Sequence, residues 1–239
     1  LHKHRKRYMS LRLRSIMTLV EELKNKLNTL IIFLSFAHDE SIELVLKNRL
    51  TWFSETEEKI IPNTKEVFKT QIANSAFLLG YTYFESFLYD LIREIYRRHP
   101  KMLPDNKKIE YSNITRANEL SEVLDRMIDR EIHEAMYQSM EDIIKYLRTK
   151  FSITINDRTK AEMIKCSFTR NCIMHNNSKV DEKLSSISGY SIHKDINLTS
   201  VEVNSYGIIL RNLSEDLYNQ ATCKYFNRKG NGVRLQDTK

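Results

Sequence analysis

Residues 63–98 restrict the possible fold more than any other stretch. Ile72, Ala76, Leu79, Tyr83, Phe87, Leu91 and Ile95 recur at three- and four-residue steps, and Ala73, Phe84, Leu88 and Ile92 widen their stripe. At 3.6 residues per turn this spacing lays an apolar band along one helical face and wraps it part of the way round. A helix so apolar is expected at the centre of a bundle, buried on more than one side. Asn63 followed by Glu66 reads as the capping box that opens it. Pro62 reads as the stop of the preceding segment, and Pro100 and Pro104 as the end of this one. Gly80 costs about 1 kcal/mol in propensity relative to Ala, so its place here suggests close approach of another helix.

The rest of the chain agrees with a helical fold. Five Gly and three Pro in 239 residues leave little turn chemistry for an all-β protein. Ile16, Leu19, Leu23, Leu27, Leu30, Ile31 and Leu34 mark a helix from about Ser10 to Ala37. A second opens at Asp39 and carries Leu44, Leu46, Leu50, Phe53, Ile60 and Ile61. Residues 100–113 read as a polar loop. Helical spacing returns over 114–151 through residues such as Leu120, Val123, Met127, Ile132, Ile143 and Leu147, with a break expected near 130–134. Phe151–Ile155 reads as an extended connector, and Asn156 caps a helix that Asn176 and Asn177 stop. Gly189 and the alternation over 190–198 suggest two very short strands or a hairpin-like loop. Thr199 and Glu202 form another capping box, opening a last helix to about Phe226 with Val203, Ile208, Leu210, Leu213 and Leu217 as its apolar members. The expected fold is all-α: a bundle of five to seven helices, one of them long and central, with a short hairpin-like loop before the last.

Charge is unevenly placed. The net charge is +7. Residues 1–14 contribute +6 and residues 224–239 contribute +4, which leaves −3 for the body between them. Basic ends of this kind either hold nucleic-acid phosphates or are solvated tails. Cys166, Cys172 and Cys223 follow no disulfide or zinc spacing and read as small packing residues in a reducing compartment. The apolar run LIIFLSFA at 30–37 is too short to span a bilayer. With no membrane segment and no secretory leader evident, the expected location is cytoplasmic.

The stretch with chemical content is DRTKAEMIKCSFTRNCIMHNNS at 157–178, which ends a helix with Arg170, Asn171 and His175. Histidine titrates near neutrality and serves as acid or base, while arginine offers a permanently charged fork to phosphate oxygens. Together they suit cleavage of RNA by its own 2′-hydroxyl, which needs a base, an acid and positive charge at the phosphorane. No metal or other cofactor is required, and no dense carboxylate cluster is present to hold one. At about 100° per residue Asn171 and His175 share a face, but Arg170 and His175 lie about 140° apart, so all three converge only where the helix loosens. Spacing alone is weak: an Arg and a His this far apart are expected about 0.5 times by chance in this composition, and Arg93/His99 and Arg126/His133 match slightly longer gaps. Both residues also suit the negative end of a helix dipole.

The segment SFTRNCIMHNNSKVDEKL resembles the signature helix of the HEPN superfamily (higher eukaryotes and prokaryotes nucleotide-binding domain). That signature is Arg, a polar residue, three mostly apolar residues, His and a polar turn. Here these are Arg170, Asn171, Cys172-Ile173-Met174, His175 and Asn176-Asn177. The long helix with FESFLYDLI at 84–92, and the loop and closing helix after the motif, fit the same resemblance. It divides the chain into an N-terminal helical extension (1–62), a HEPN-like helical domain (63–226) and a basic tail (227–239). It implies a homodimer in which two motifs meet in one cleft, and a metal-independent endoribonuclease of the toxin–antitoxin, abortive-infection or antiviral type. By the same resemblance Arg170 and His175 are catalytic, Asn171 positions substrate, and Glu85 occupies an acidic position on the long helix, where it pairs with Arg170 or faces solvent. RNA is the implied substrate, with an antitoxin or defence-complex component as a possible partner. The alternative within the superfamily is a non-catalytic interaction or RNA-binding module. The alternative outside it is a helical interaction protein with a chance motif.

Overall fold

The computed structural model describes residues 18–32, 34, 57–108, 111–115, 117 and 119–226. It is an all-α helical bundle. The expected helix opening at Asp39 and most of the basic ends lie outside the described residues.

Helix α1 covers 18–34. Its Val20, Leu23, Leu27 and Leu34 enter the common core, whereas Ile31 is exposed. The central helix α2 runs from Glu57 to Arg98. Its start corrects the expectation that Pro62 stops one helix and Asn63 caps the next. Proline removes one N–H, but its fixed φ near −65° is itself helical, so a single missing bond is tolerated in an early turn. From Phe84 onward Phe87, Leu88, Leu91, Ile92, Ile95 and Tyr96 are all buried, as a helix packed on several sides requires. Leu79 departs from the expected stripe and is 41% exposed.

After a 3-10 turn at Pro100–Met102 come the short α3 (Tyr111–Thr115), α4 (Leu120–Met136) and α5 (Met140–Phe151). The break falls at 137–139 rather than 130–134. Ile128 and Ile132 are fully buried, which carries α4 through, and Ser139 caps α5 by accepting the Asp142 N–H at 3.2 Å. The connector begins at Ser152, whose φ of 52° closes α5 in the left-handed region.

Helix α6 (Asp157–His175) starts as expected, with Asn156 Oδ1 accepting from the Thr159 N–H at 2.9 Å. Beyond it a short helix α7 (Glu182–Ser188) precedes the loop, capped by Asp181 at one end and by Gly189, φ 75°, at the other. The hairpin-like loop itself is held by one antiparallel bridge, Lys179 to Asp195. Helix α8 (Ser200–Ala221) opens on the complete Thr199–Glu202 capping box and ends in a π turn, Thr222–Phe226. This turn returns to α5: the Tyr225 hydroxyl donates to the Phe151 carbonyl at 2.7 Å and the Lys224 ammonium to that of Ser152. One cation of the basic end is thereby spent on a helix terminus.

Gly80 faces α1, where an added Cβ would stand 3.4 Å from Leu27 Cδ2 and 3.6 Å from Leu30 Cδ1. These are ordinary contact distances. The Gly80→Ala variant should therefore gain about 0.5–1 kcal/mol from reduced unfolded-state freedom and better helix propensity. A raised denaturation midpoint checks this; a lowered one would mean that the helices need the missing methyl.

Candidate functional site

Helix α6 is fixed by an inward row of small and apolar residues, Met163, Cys166, Thr169 and Cys172, all buried. Cys166 and Cys172 thus pack as expected, and burial pushes the Cys166 thiol up to about 12. Cys223 is exposed, contrary to its reading as a packing residue. Thr169 is 0% exposed and returns its hydroxyl to the Lys165 carbonyl at 2.9 Å, so even the polar member of the row is satisfied.

That row sets where the candidate residues stand. Arg170, next to Thr169, is half-buried on the flank turned toward α2. Its Nη1 donates to Asn171 Oδ1 at 3.0 Å, joining two of the candidates. His175 is the last residue of the helix and is exposed. The helix does not loosen before it: the Asn176 N–H still reaches the Cys172 carbonyl at 3.0 Å, and the Ser178 N–H meets the same oxygen at 3.1 Å. Arg170 and His175 of one chain accordingly project about 140° apart on a regular helix. The chain turns away only after His175, through Asn177 and Ser178 at φ 51° and 58°.

Glu85 stands on α2, half-buried, near enough to Arg170 for their charges to interact. Burial raises its pKa above the usual carboxylate range, and the Arg170 guanidinium opposes this without cancelling it. Tyr81, one turn earlier and 2% exposed, belongs to the same cluster and was not among the expected site residues. Its pKa is raised by burial, while a hydrogen bond with Ser167 pulls the other way. The signal was available in part, since Tyr81 and Glu85 are four apart on one helix. The α6 partner Ser167 requires the tertiary fold.

A pH dependence follows. A carboxyl whose folded pKa is raised stabilises the fold while protonated, and that contribution is lost as pH rises through the folded pKa. Replacing Glu85 by Gln should make the protein more stable than the wild type at pH 7, with the difference shrinking toward pH 4. Melting temperatures of both proteins across that range test it. A Glu85→Gln variant less stable at pH 7 would show that attraction to Arg170 outweighs burial.

The loop after α6 is anchored by Asn74 of α2, which is 3% exposed. Its Nδ2 donates to the Ile196 carbonyl at 3.0 Å and its Oδ1 accepts from the Leu198 N–H at 3.3 Å. Among the described residues no three His, Cys, Asp or Glu side chains gather as a metal site, and no helix is long and apolar enough to cross a membrane.

Fold and helix end together define an all-α bundle with Arg170 and Asn171 joined on one flank of α6 and His175 exposed at its tip. Comparisons with protein-family models, with curated proteins and with solved structures each find no match to this chain.

Proposed function

We propose that the protein is a metal-independent endoribonuclease of the HEPN type, acting as a homodimer in the cytoplasm as a toxin or antiviral effector. The observation that supports the reading is the end of α6, where a half-buried guanidinium tied to an amide lies beside Glu85 and an exposed imidazole follows on the same rigid helix. Because the helix stays regular through His175, one chain does not aim both groups at one point. A second copy is needed to bring an imidazole to the phosphate that the first copy's Arg170 holds. In that cleft one His175 takes the proton of the 2′-hydroxyl, and the 2′-oxygen bonds to phosphorus. The 5′-oxygen leaves with a proton from the other His175. The products are a 2′,3′-cyclic phosphate and a 5′-hydroxyl. Arg170 stabilises the charge on the non-bridging oxygens, and Asn171 holds the guanidinium in place.

The test is RNA cleavage by the purified wild type after exhaustive chelation. The reading expects an unchanged rate. Cleavage that appears only on addition of a divalent cation would refute it.

A further inference from the structure

A cavity of about 160 Å³ lies beside the hairpin-like loop, between that loop and the start of α8. Its walls include Tyr190, Ser191, Lys194, Asp195, Asn197 and Glu202. The loop is unusually well anchored for so short a segment. Val180 and residues 193–194 exchange two backbone hydrogen bonds at 2.9 Å, and the Ile196 N–H donates to the Ser178 carbonyl at 2.7 Å. Ser185 Oγ donates to the Tyr190 carbonyl at 2.8 Å, and Asn74 secures Ile196 and Leu198 from beneath. A buried asparagine spent wholly on two backbone groups across 122 and 124 residues fixes this wall before any ligand arrives.

Some lining groups are already engaged. Glu202 accepts from Thr199 and from the Tyr190 hydroxyl, the latter at 3.2 Å. Lys165 holds its ammonium over the Tyr190 ring, 5.7 Å from the centroid. The Ser191 hydroxyl, the Lys194 ammonium and the Asn197 amide, all on exposed residues, remain to meet a ligand. They offer donors and an acceptor beside an aromatic surface. The volume is informative, since a cavity of about 150 Å³ accommodates one benzene ring. A single six-membered ring fits here, whereas a fused purine exceeds the space.

Position connects the cavity with the helix end. Ser178, whose carbonyl holds Ile196, is three residues past His175, and three residues span at most about 11 Å. At about 3.4 Å per stacked nucleotide, a base in the cavity lies within a few nucleotides of a phosphate at His175.

We propose that this cavity binds a pyrimidine base, with Asn197 and Ser191 hydrogen-bonding its polar edge, and so selects the RNA sequence near the cut. The role in cleavage rests on the ribonuclease reading; the ligand rests on the cavity alone. The experiment titrates CMP, UMP, AMP and GMP separately into the full chain and follows amide shifts by NMR, alongside sequencing of cut sites in a random RNA pool. Saturable binding of CMP or UMP, at least 10-fold tighter than either purine nucleotide, is expected. Asn197→Ala and Ser191→Ala, both at exposed positions, should each weaken it several-fold and flatten the preference at the cut sites, while His175→Ala leaves nucleotide binding unchanged. Absent saturation, purines bound as tightly as pyrimidines, or binding indifferent to both variants would overturn the proposal. Pyrimidine binding by a wild type that cuts no RNA would uphold the cavity's ligand and overturn the ribonuclease reading instead.

Discussion

Substituting His175 by Ala should lower RNA cleavage by about 10²–10⁴-fold, the usual contribution of a positioned acid or base, and leave the melting temperature within about 1 °C of the wild type. The structural half of that expectation comes from exposure: His175 is at the helix tip, and the Asn176 and Ser178 N–H groups cap the helix through backbone bonds that do not involve its ring. Arg170→Ala should lose a comparable factor, since a fixed charge on the phosphorane is worth about as much as one oxyanion donor. Arg170 differs from His175 in one readout. It is half-buried beside Glu85, so its removal leaves that carboxylate without its opposing charge and should raise the Glu85 pKa further. Cleavage assays with matched thermal melts separate the two variants. Equal activity of His175→Ala and wild type would remove the imidazole from the chemistry.

The largest stability effect is expected at Phe151. The residue is 0% exposed and ends α5 at the junction of three elements. Its ring lies 5.3 Å from Tyr96, 5.6 Å from Tyr146 and 6.2 Å from Tyr225, all edge-on. Such pairs contribute beyond the area they bury. The neighbours are also held by polar contacts: Tyr96 and Tyr146 share a hydrogen bond at 2.5 Å, and Tyr146 donates to Glu131 at 3.3 Å. This ring of partners resists collapse into the space that Phe151→Ala would leave. The full cavity cost of about 3–5 kcal/mol is therefore expected. Urea denaturation should show the midpoint falling with little change in slope. A loss below about 1.5 kcal/mol would mean that the cluster closes over the void.

Much of this architecture was legible because its signals are local. Asn156, and the pair Thr199 and Glu202, cap helices within three residues of themselves, and the structure contains those bonds. The apolar stripe of α2 was readable for the same reason. What misled was local chemistry overruled by neighbours. Pro62 was expected to stop a helix that passes through it, and the break near 130–134 moved to 137–139 because Ile128 and Ile132 anchor α4 in the core. Helix α7 was missed although both its caps, Asp181 and Gly189, were in plain sight; only seven residues lie between them, too few for periodicity to register.

The candidate site divides in the same way. Arg170, Asn171 and His175 could be named because they are sequence neighbours, and the approach of Arg170 to Asn171 follows from adjacency. Tyr81 with Ser167, and Asn74 with Ile196, join residues 86 and 122 apart, and no local pattern announces such pairs. The angle between Arg170 and His175 lies between these cases. Periodicity predicted it, but only the backbone bonds around Cys172 show that the helix stays regular to its end.

The most direct measurement is the chemistry of the RNA ends left by the purified wild type, read by mass spectrometry. The account predicts fragments bearing 2′,3′-cyclic phosphate and 5′-hydroxyl termini, absent when His175→Ala replaces the wild type. Intact RNA, or fragments with 5′-phosphates, would contradict it.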